Sequence, residues 1–358
     1  MDKEAREKNL TLNDLEYKQG KISLESTPEG IGIGAHYNCN AKCIFCLGKK
    51  SDYFSLERYK DFFEPGLGSA INNARFINFC GFGELLLMPG IEEFLHYVNE
   101  RIPEVNKIYT TNGTPLANED VAGLLAESKS VVEISLHAGN SRLHKSLTGI
   151  DAFERIVSGI RKLLARRSHN GSPTVSLVFL INTLNIENLP DFVKFAAGLG
   201  VDEVICSYLT VFRRAHLELS CFFKQEVANY NLDKAEDQAQ KLNLAIRLPV
   251  RFKDNHQPAA VFKCSDPWKY CYIENEGSVL ACCYAGSHFG YLGESDFETI
   301  WNGDDYRRLR SSFAGGEPHE WCRYCCRYRG QNVNDIRAHV NSRPGFHDEI
   351  LKELARAT

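Results

Sequence analysis

Three cysteines near the amino terminus have the spacing C-x3-C-x2-C. They are Cys39, Cys43 and Cys46, and Phe45 precedes the third. Three thiolates can hold three irons of a cubane cluster and leave the fourth iron open to bind a small molecule directly. A structural zinc site is the alternative, because His36 could supply the fourth ligand that zinc requires. The triplet therefore predicts a metal site, and the open-iron cluster is the favoured form.

A second chemically capable segment follows an apolar run, at Cys80-Gly81-Phe82-Gly83-Glu84. Two glycines allow the backbone to approach a ligand closely. The carboxylate of Glu84 can accept hydrogen bonds from an ammonium group. In isolation the segment is better explained as a strand-to-helix turn with a solvated glutamate. Its position about forty residues after the cysteine triplet favours a binding role.

Together the two segments resemble the radical S-adenosylmethionine (SAM) superfamily. The resemblance implies a [4Fe-4S] cluster whose open iron chelates SAM and whose electron releases a 5′-deoxyadenosyl radical. It implies that Gly81, Gly83 and Glu84 bind the methionine amino group of SAM. Phe82 departs from the family pattern, which has a glycine there. Phe45 is implied as a further cofactor contact.

Two later positions are implied as cofactor contacts by the same resemblance. Ser135 matches the position that hydrogen-bonds the SAM ribose, and Asn182 ends the fifth predicted strand. His137 is predicted on the same strand face as Ser135, either as a core-edge histidine or as a substrate-side acid or base. Residues 110–114 contain the Thr-Asn-Gly that is frequent in the family, and a tight turn alone would also explain them.

A second group of cysteines lies in the last third of the chain. Cys264 and Cys282 bracket a predicted hairpin, and Cys322 and Cys325 form C-x2-C. The group resembles the SPASM/twitch extensions of radical SAM enzymes, which implies that these four cysteines hold one auxiliary [4Fe-4S] cluster. A four-cysteine zinc ribbon is the alternative. Three further cysteines are close enough in sequence to replace a ligand: Cys271, Cys283 and Cys326.

Cys283 adjoins the implied ligand Cys282. In radical epimerases a cysteine thiol can return a hydrogen atom to the substrate radical, and by that resemblance Cys283 is the candidate catalytic residue. Cys206 and Cys221 have no such neighbour and are expected to be buried thiols that behave as small apolar side chains.

The elements that must position these residues follow from the hydrophobic pattern. Six short apolar runs alternate with helix-like segments, and this alternation predicts an α/β fold with a parallel sheet. The runs cover residues 31–35, 76–80, 107–111, 131–136, 175–181 and 203–209; the main helix-like segments cover residues 91–100, 118–127, 153–167 and 189–199. The resemblance implies a partial (β/α)6 TIM barrel whose catalytic face is at the carboxyl ends of the strands.

The hydrophobic pattern and the composition predict five segments, because the strand–helix alternation stops after Tyr208 and the composition changes at Cys264. They are an N-terminal polar extension at 1–28, a radical SAM partial barrel core at 29–210, a helical insertion or linker at 211–263, a SPASM/twitch-like auxiliary iron–sulfur domain at 264–326 and a C-terminal helical tail at 327–358. Residues 211–263 are expected to end in one strand, at 244–248.

Composition narrows the classes of function. The 358 residues carry a net charge of −4, so no basic surplus suggests a nucleic-acid partner. No run of 18 apolar residues predicts a membrane span. The charged first residues lack the apolar core of a secretory signal, which favours the cytoplasm. In that reducing compartment the 13 cysteines indicate metal binding or catalysis rather than disulfides.

The resemblance implies an oxidoreductase that abstracts hydrogen from an unactivated carbon. Two-electron oxidation of a small hydroxylated molecule, similar to a sugar or an aminocyclitol, is the expected outcome, with flavodoxin or ferredoxin as electron donor. One alternative is modification of a ribosomal peptide or a protein, by epimerisation, thioether formation, cross-linking or maturation. The other alternative is a non-enzymatic zinc-binding scaffold.

Overall fold

A computed structural model describes residues 3–48, 53–168, 171–253, 264–283, 288–315, 322, 333–340 and 351–352. The chain divides into two compact units. Unit 1 comprises Met1–Asn38, Lys49–Tyr109 and Ala259–Arg323, and unit 2 comprises Cys39–Gly48, Thr110–Pro258 and Tyr324–Thr358. Unit 1 therefore contains residues 81–84, which we call the glycine–glutamate segment, and most of the second cysteine group. Unit 2 contains the first cysteine group.

Strands and helices alternate along most of the chain. In the described residues the strands are β1 (Gly30–Gly34), β2 (Phe76–Cys80), β3 (Asn106–Thr111), β4 (Ser130–Ser135), β5 (Thr174–Ile181), β6 (Glu203–Tyr208), β7 (Ala245–Arg247), β8 (Tyr270–Ile273), β9 (Ser278–Leu280) and β10 (Gly290–Tyr291). The first six correspond to the six apolar runs, which confirms the predicted α/β alternation.

The helices of the described residues lie mostly between these strands, while one precedes β1 and two follow β10. They are α1 (Lys3–Gln19), α2 (Leu56–Arg58), α3 (Glu64–Leu67), α4 (Ala70–Asn73), α5 (Ile91–Arg101), α6 (Glu119–Ala126), α7 (Ser141–Thr148), α8 (Phe153–Ala165), α9 (Leu189–Leu199), α10 (Gln225–Lys241), α11 (Asp266–Lys269), α12 (Phe297–Trp301) and α13 (Asp304–Ala314). One π-helical turn, Tyr59–Phe63, joins α2 to α3. Short 3₁₀ turns lie at Leu85–Leu87, Thr114–Ala117, Ile186–Asn188, Arg214–Leu219, Cys221–Lys224 and Ile336–His339.

The sheet of unit 1 has the order β10-β9-β8-β1-β2-β3. Strand β1 pairs in parallel with β2 on one side and with β8 on the other. Strands β8, β9 and β10 are successively antiparallel, so the hairpin predicted between Cys264 and Cys282 is confirmed. Its pairing with β1 was not anticipated. The hairpin thus extends the parallel sheet instead of forming a separate layer.

Alternate glycines in β1 make this pairing possible. A Cβ added at Gly32 would lie 2.1 Å from the Tyr270 hydroxyl oxygen and 2.7 Å from the Tyr272 ring. The glycine therefore leaves room for aromatic side chains of β8 on one face of the sheet. Ile31 and Ile33 point to the opposite face and are fully buried there. The period of two along the strand separates these two roles.

The polar extension at 1–28 packs onto unit 1 through α1. Asn13 is buried and donates to the Trp268 carbonyl oxygen at 2.8 Å and to the Ser26 hydroxyl at 3.0 Å. The buried carboxylate of Glu16 accepts from the Ser26 hydroxyl at 2.6 Å. These hydrogen bonds satisfy polar groups that burial would otherwise penalise, and they connect the start of the chain to α11.

The sheet of unit 2 contains β4, β5, β6 and β7, all in parallel. The sequence predicts that the alternation stops after Tyr208, and this prediction was incomplete. Helix α10 is followed by β7, which pairs in parallel with β6, so one more strand–helix–strand connection follows the predicted six strands. The strand predicted at 244–248 is confirmed as β7, but the sequence did not indicate that it pairs in parallel with β6.

Most of the predicted tail at 327–358 lies outside the described residues. Residues 333–340 are described and lie against the segment that follows β6. The amide of Val211 donates to the His339 carbonyl oxygen at 2.7 Å, and Val340 forms a parallel bridge with Val211. The His339 ring stacks on Phe252 with centroids 5.4 Å apart. This part of the tail belongs to the core of unit 2.

Candidate active site

The loop Cys39–Gly48 carries the first cysteine group and is fixed to α7 of unit 2. The amide of Lys42 donates to the Thr148 carbonyl oxygen at 2.8 Å, and the amide of Ile44 donates to that of Leu147 at 3.0 Å. These acceptors are carbonyl oxygens of the last turn of α7, which have no partner within the helix. Arg213 donates to the Leu47 carbonyl oxygen near the other end of the loop.

Two of the three thiols in this loop, those of Cys39 and Cys46, accept hydrogen bonds from amides. Cys39 Sγ lies 3.4 Å from the Ala41 nitrogen and 3.6 Å from Asn112 Nδ2, and Cys46 Sγ lies 3.4 Å from the Gly48 nitrogen. Such N–H···S bonds stabilise thiolates in iron–sulfur sites and tune their potential.

Burial and neighbouring thiols affect the ionisation of Cys43. Burial, followed by the neighbouring thiols Cys46 and Cys39, raises the pKa of Cys43 to about 12. Three adjacent thiolates repel one another, and a bound metal removes this penalty because it deprotonates its coordinating thiols outright. The three cysteines in one loop remain the donor set that the spacing predicts for the cluster.

The turn at residues 110–114 supports the cysteine loop, a role that the sequence did not indicate. Asn112 Nδ2 donates to Asn40 Oδ1 at 2.9 Å, and Asn112 Oδ1 accepts from the Thr114 hydroxyl at 2.7 Å. Asn40 Nδ2 in turn donates to Thr114 Oγ1 at 3.0 Å. The amide of Asn112 is therefore oriented toward Cys39. The Thr-Asn-Gly sequence was the available signal, but only the contacts distinguish this role from a plain turn.

His137 does not lie on the strand face of Ser135, so that prediction was wrong. Strand β4 ends at Ser135, which is half-buried, and His137 has a left-handed φ of 59°. Its Nδ1 accepts from the Leu180 amide at 3.1 Å, and its ring packs edge-on against Phe45 with centroids 5.2 Å apart. Burial, followed by His144, lowers the pKa of His137 to about 4. The ring is neutral near pH 7 and supports Phe45.

Asn182 is fully buried at the end of β5, and its side chain is engaged within its own turn. Nδ2 donates to the Leu180 carbonyl oxygen at 3.1 Å, and Oδ1 accepts from the Leu184 amide at 3.0 Å. These bonds explain the buried amide as a turn-forming group. A role of Asn182 toward the cofactor stays a prediction.

Residues 81–84 in unit 1 form a tight connection after β2. Gly83 has a φ of 115°, and a Cβ added there would lie 1.5 Å from the Tyr37 carbonyl oxygen, so only glycine fits. Glu84 is 1% exposed, and its Oε1 accepts from the Leu86 amide at 3.2 Å. Its own amide donates to the Asn38 carbonyl oxygen at 3.3 Å. The carboxylate is thereby oriented at the start of a 3₁₀ turn.

His36 is engaged on both ring nitrogens, by the Phe82 amide and by Glu274. This arrangement makes His36 unsuitable as the zinc ligand considered from the sequence.

The second cysteine group is described in part. Cys264, Cys282 and Cys322 are half-buried and Cys283 is exposed, whereas Cys325 and Cys326 lie outside the described residues. An exposed or half-buried thiol near a strand end can reach a cluster.

The remaining described cysteines are less accessible, apart from half-buried Cys80. Cys271 is fully buried within β8, and this burial raises the pKa of its thiol. The structure thus favours Cys271 as a core residue over its alternative role as a ligand. Cys206 and Cys221 are buried as predicted, and burial raises the pKa of each to about 12.

The chain thus combines an α/β fold whose sheets are mostly parallel with two groups of cysteines. Residues 35–196 match the family model of the radical SAM superfamily, and residues 264–326 match that of the iron–sulfur cluster-binding domain SPASM. The chain belongs to the radical SAM superfamily and has a C-terminal SPASM domain, as the sequence predicts. Its cofactors are SAM and a [4Fe-4S] cluster, with auxiliary iron–sulfur in the SPASM domain.

Two curated relatives match different lengths of the chain. A probable GTP 3′,8-cyclase of Metallosphaera sedula is 28% identical over 181 residues, which cover 49% of this chain and 54% of the cyclase. The chain thus spans about half the length of the cyclases that it matches. An AdoMet-dependent heme synthase of Methanosarcina barkeri is 24% identical over 317 residues, 81% of this chain and 86% of the synthase.

Solved structures share the fold at low sequence identity. Streptococcus suis SuiB bound to S-adenosylmethionine has a TM-score of 0.64 and 16% identity, covering 85% of this chain and 72% of SuiB. The enzyme anSMEcpe with bound AdoMet has a TM-score of 0.62 and 17% identity, covering 92% of each chain. The similarity confirms the predicted fold class. No helix in the described part of the chain is long and apolar enough to cross a membrane.

Proposed function

We propose that this radical SAM enzyme oxidises a small molecule by two electrons. The observation that carries the proposal is the combination in one chain of an amide-supported thiol triplet and a second, accessible thiol group in a SPASM domain. When bound, the first cluster supplies the electron that cleaves SAM, and the resulting radical removes a hydrogen atom from substrate carbon.

The residues of the chain bind and orient the cofactors. Cys39, Cys43 and Cys46 would hold three irons, and the loop bonds to α7 would keep the three thiols in place. The buried carboxylate of Glu84 would accept the SAM ammonium, a charge-assisted bond that burial strengthens. Phe45, held by His137, would shield one side of the cluster from water.

The second cysteine group would hold an auxiliary iron–sulfur cluster, and that cluster would supply the acceptor for the electron that the substrate radical loses. Cys264, Cys282 and Cys322, together with Cys325, are the proposed ligands. Because the radical gives up an electron and a proton, the product would contain two hydrogen atoms fewer than the substrate. Cys283 is exposed next to a proposed ligand and is the thiol that would return a hydrogen atom if the reaction were an epimerisation.

A small-molecule substrate is supported by the extent of the alignments. The heme synthase aligns over most of this chain and is named for a small-molecule product. A hydroxylated sugar or aminocyclitol remains our proposal within that class.

Modification of a peptide is the second candidate. SuiB has been solved bound to its precursor peptide SuiA, and anSMEcpe with bound AdoMet and a peptide. These structures support the candidate only through the shared fold, because their identity to this chain is 16%.

The test is substrate-dependent SAM cleavage by the anaerobically reconstituted protein. Formation of 5′-deoxyadenosine is measured with dithionite, flavodoxin or ferredoxin as reductant, in the presence of hydroxylated small molecules, tetrapyrroles or peptides. A substrate raises 5′-deoxyadenosine above the uncoupled level and yields a product lighter by two hydrogen atoms. Stimulation by peptides alone would replace the proposal by the second candidate, and a product of unchanged mass would refute oxidation.

A further inference from the structure

The glycine–glutamate segment is supported by a buried imidazole. The amide of Phe82 donates to His36 Nδ1 at 2.8 Å, and the two rings stack with centroids 5.7 Å apart at 23°. His36 is 1% exposed. A Cβ added at Gly81 would lie 2.7 Å from the same Nδ1, so the backbone of the segment packs directly against the imidazole. The stacking also accounts for Phe82, which stands where the family pattern has glycine.

The other nitrogen of the imidazole faces the SPASM hairpin. His36 Nε2 lies 3.2 Å from Glu274 Oε2, and Glu274 is 7% exposed in the turn between β8 and β9. Because Nδ1 accepts from a backbone amide, the ring proton is on Nε2 and is donated to the carboxylate. The imidazole therefore bridges the hairpin and the Phe82 backbone, and all three groups belong to unit 1.

The hairpin turn that carries Glu274 is itself fixed. Arg58 Nε donates to the Asn275 carbonyl oxygen at 2.7 Å. A Cβ added at Gly277 would lie 2.3 Å from the Phe62 ring, which shows how closely that ring covers the turn. The position of the Glu274 carboxylate is thus set by the packing of the turn. One residue, Ala281, separates the end of β9 from Cys282.

We propose that Glu274 and His36 form a positioning pair through which the SPASM hairpin holds the backbone of residues 81–84. The proposal rests on the role proposed above for Glu84 toward SAM. The pair touches neither substrate nor cofactor, and it acts through the Phe82 amide. Its functional consequence is that the geometry of the SPASM hairpin contributes to SAM affinity.

The first experiment compares SAM affinity in variants of the reconstituted protein by equilibrium dialysis. Glu274→Ala removes the acceptor of the imidazole proton and is expected to weaken SAM binding about tenfold. Iron content and 5′-deoxyadenosine formation at saturating SAM should be unchanged. Glu274→Gln retains an acceptor oxygen and should restore affinity. Glu276→Ala is the matched control, because Glu276 is exposed in the same turn and accepts a hydrogen bond from the nearby Ser278 hydroxyl.

His36→Asn tests the two hydrogen bonds of the imidazole separately. Its side-chain oxygen can replace Nδ1 as acceptor for the Phe82 amide, but it is too short to reach Glu274. We expect its SAM affinity to lie between those of the wild type and Glu274→Ala. Affinity equal to the wild type in both His36→Asn and Glu274→Ala would overturn the proposal.

Amide hydrogen exchange without SAM provides a readout independent of catalysis. In Glu274→Ala the peptide containing residues 81–87 should exchange faster, while peptides from β4–β6 should be unchanged. Faster exchange throughout unit 1 would show that the pair stabilises the whole unit and does not specifically hold residues 81–84, and this result would overturn the proposal. Normal SAM affinity in Glu84→Ala would refute the proposed SAM contact instead, and the local exchange would still test whether the pair holds the segment.

Discussion

The two cysteine groups differ in how the chain assembles them. The first lies within residues 39–46, and its loop is fixed by hydrogen bonds to α7 and to Asn112. The second draws on residues 264, 282 and 322, which only the β8–β9 hairpin and the following helices bring into one unit. A local motif specifies its ligands by spacing, whereas a dispersed set depends on the packing of the elements between its members.

The two cysteine groups also differ in the surroundings of their thiols. Amide donors lie around Cys39 and Cys46, as expected for a cluster whose potential must be tuned. Next to the second group lie the exposed thiol of Cys283 and the fully buried thiol of Cys271. Burial therefore separates ligand candidates from core residues in the second group, where spacing could not.

The largest effect is expected from removing the first group. Anaerobically reconstituted wild type should hold about eight irons, and Cys39→Ala, Cys43→Ala and Cys46→Ala combined should lose about four of them. SAM cleavage should fall below detection, since these three thiolates would hold the cluster whose open iron binds SAM. Iron analysis and 5′-deoxyadenosine assays measure both outcomes. Cys221→Ala, which changes a buried thiol in the same unit, is the control, and unchanged iron in the triple variant would refute the assignment.

Removing the second group should separate SAM cleavage from product formation. Cys264→Ala combined with Cys282→Ala should still form 5′-deoxyadenosine but no oxidised product, because the electron has no acceptor. Cys271→Ala should retain the product, since its thiol is buried in β8.

Cys283→Ala sharpens that experiment. If oxidation is the outcome, the variant should behave as the wild type does. Loss of product in Cys283→Ala, together with one deuterium at the reacting carbon of wild-type product formed in deuterated water, would establish epimerisation.

Glu84→Ala should weaken SAM binding while iron content stays the same. Loss of the charge-assisted partner corresponds to about 1.5–3 kcal/mol of binding free energy. Glu84→Gln keeps an acceptor for the Leu86 amide but lacks the charge, so it distinguishes the local turn from the ammonium contact. Equilibrium dialysis with Glu93→Ala, an exposed carboxylate in α5, as control measures the difference. Equal SAM affinity in all three variants would show that a residue other than Glu84 binds the SAM ammonium group.

Asn112→Ala tests the amide support of the first group. Loss of the N–H···S bond to Cys39 should lower the reduction potential of the first cluster by on the order of tens of millivolts, because the bond stabilises the more negative reduced state. Asn118→Ala removes a side-chain cap of α6 and no bond to sulfur, so its potential should equal that of the wild type. Redox titration followed by electron paramagnetic resonance gives the comparison, and identical potentials would exclude the role of Asn112.

The smallest effect concerns His137. Because its pKa is lowered to about 4, the imidazole gains charge only as the pH falls through about 4 and stays neutral above it. The pH profiles of SAM cleavage by the wild type and by His137→Gln should therefore have the same shape between about pH 6 and 8. A titration present in the wild type and lost in the variant would restore the acid or base role considered from the sequence.

Local pattern was sufficient for much of the fold and for the first cysteine group. Helix α9 begins and ends where its apolar period predicts, at Leu189 and Leu199, and β2 and β6 follow their apolar runs. The spacing of Cys39, Cys43 and Cys46 needs no long-range contact to be recognised, and neither does a hairpin whose strands are four residues apart. Each of these features depends on residues that are neighbours in sequence.

Only the tertiary structure decided which residues support these groups. His36 was a possible zinc ligand in the sequence, yet it contacts Glu274, 238 positions away. The left-handed φ of His137 and the pairing of β8 with β1 are equally invisible to local pattern. Their physical origin is packing: a buried polar group must find a partner, and the fold determines which residue, however distant in sequence, is within hydrogen-bonding distance.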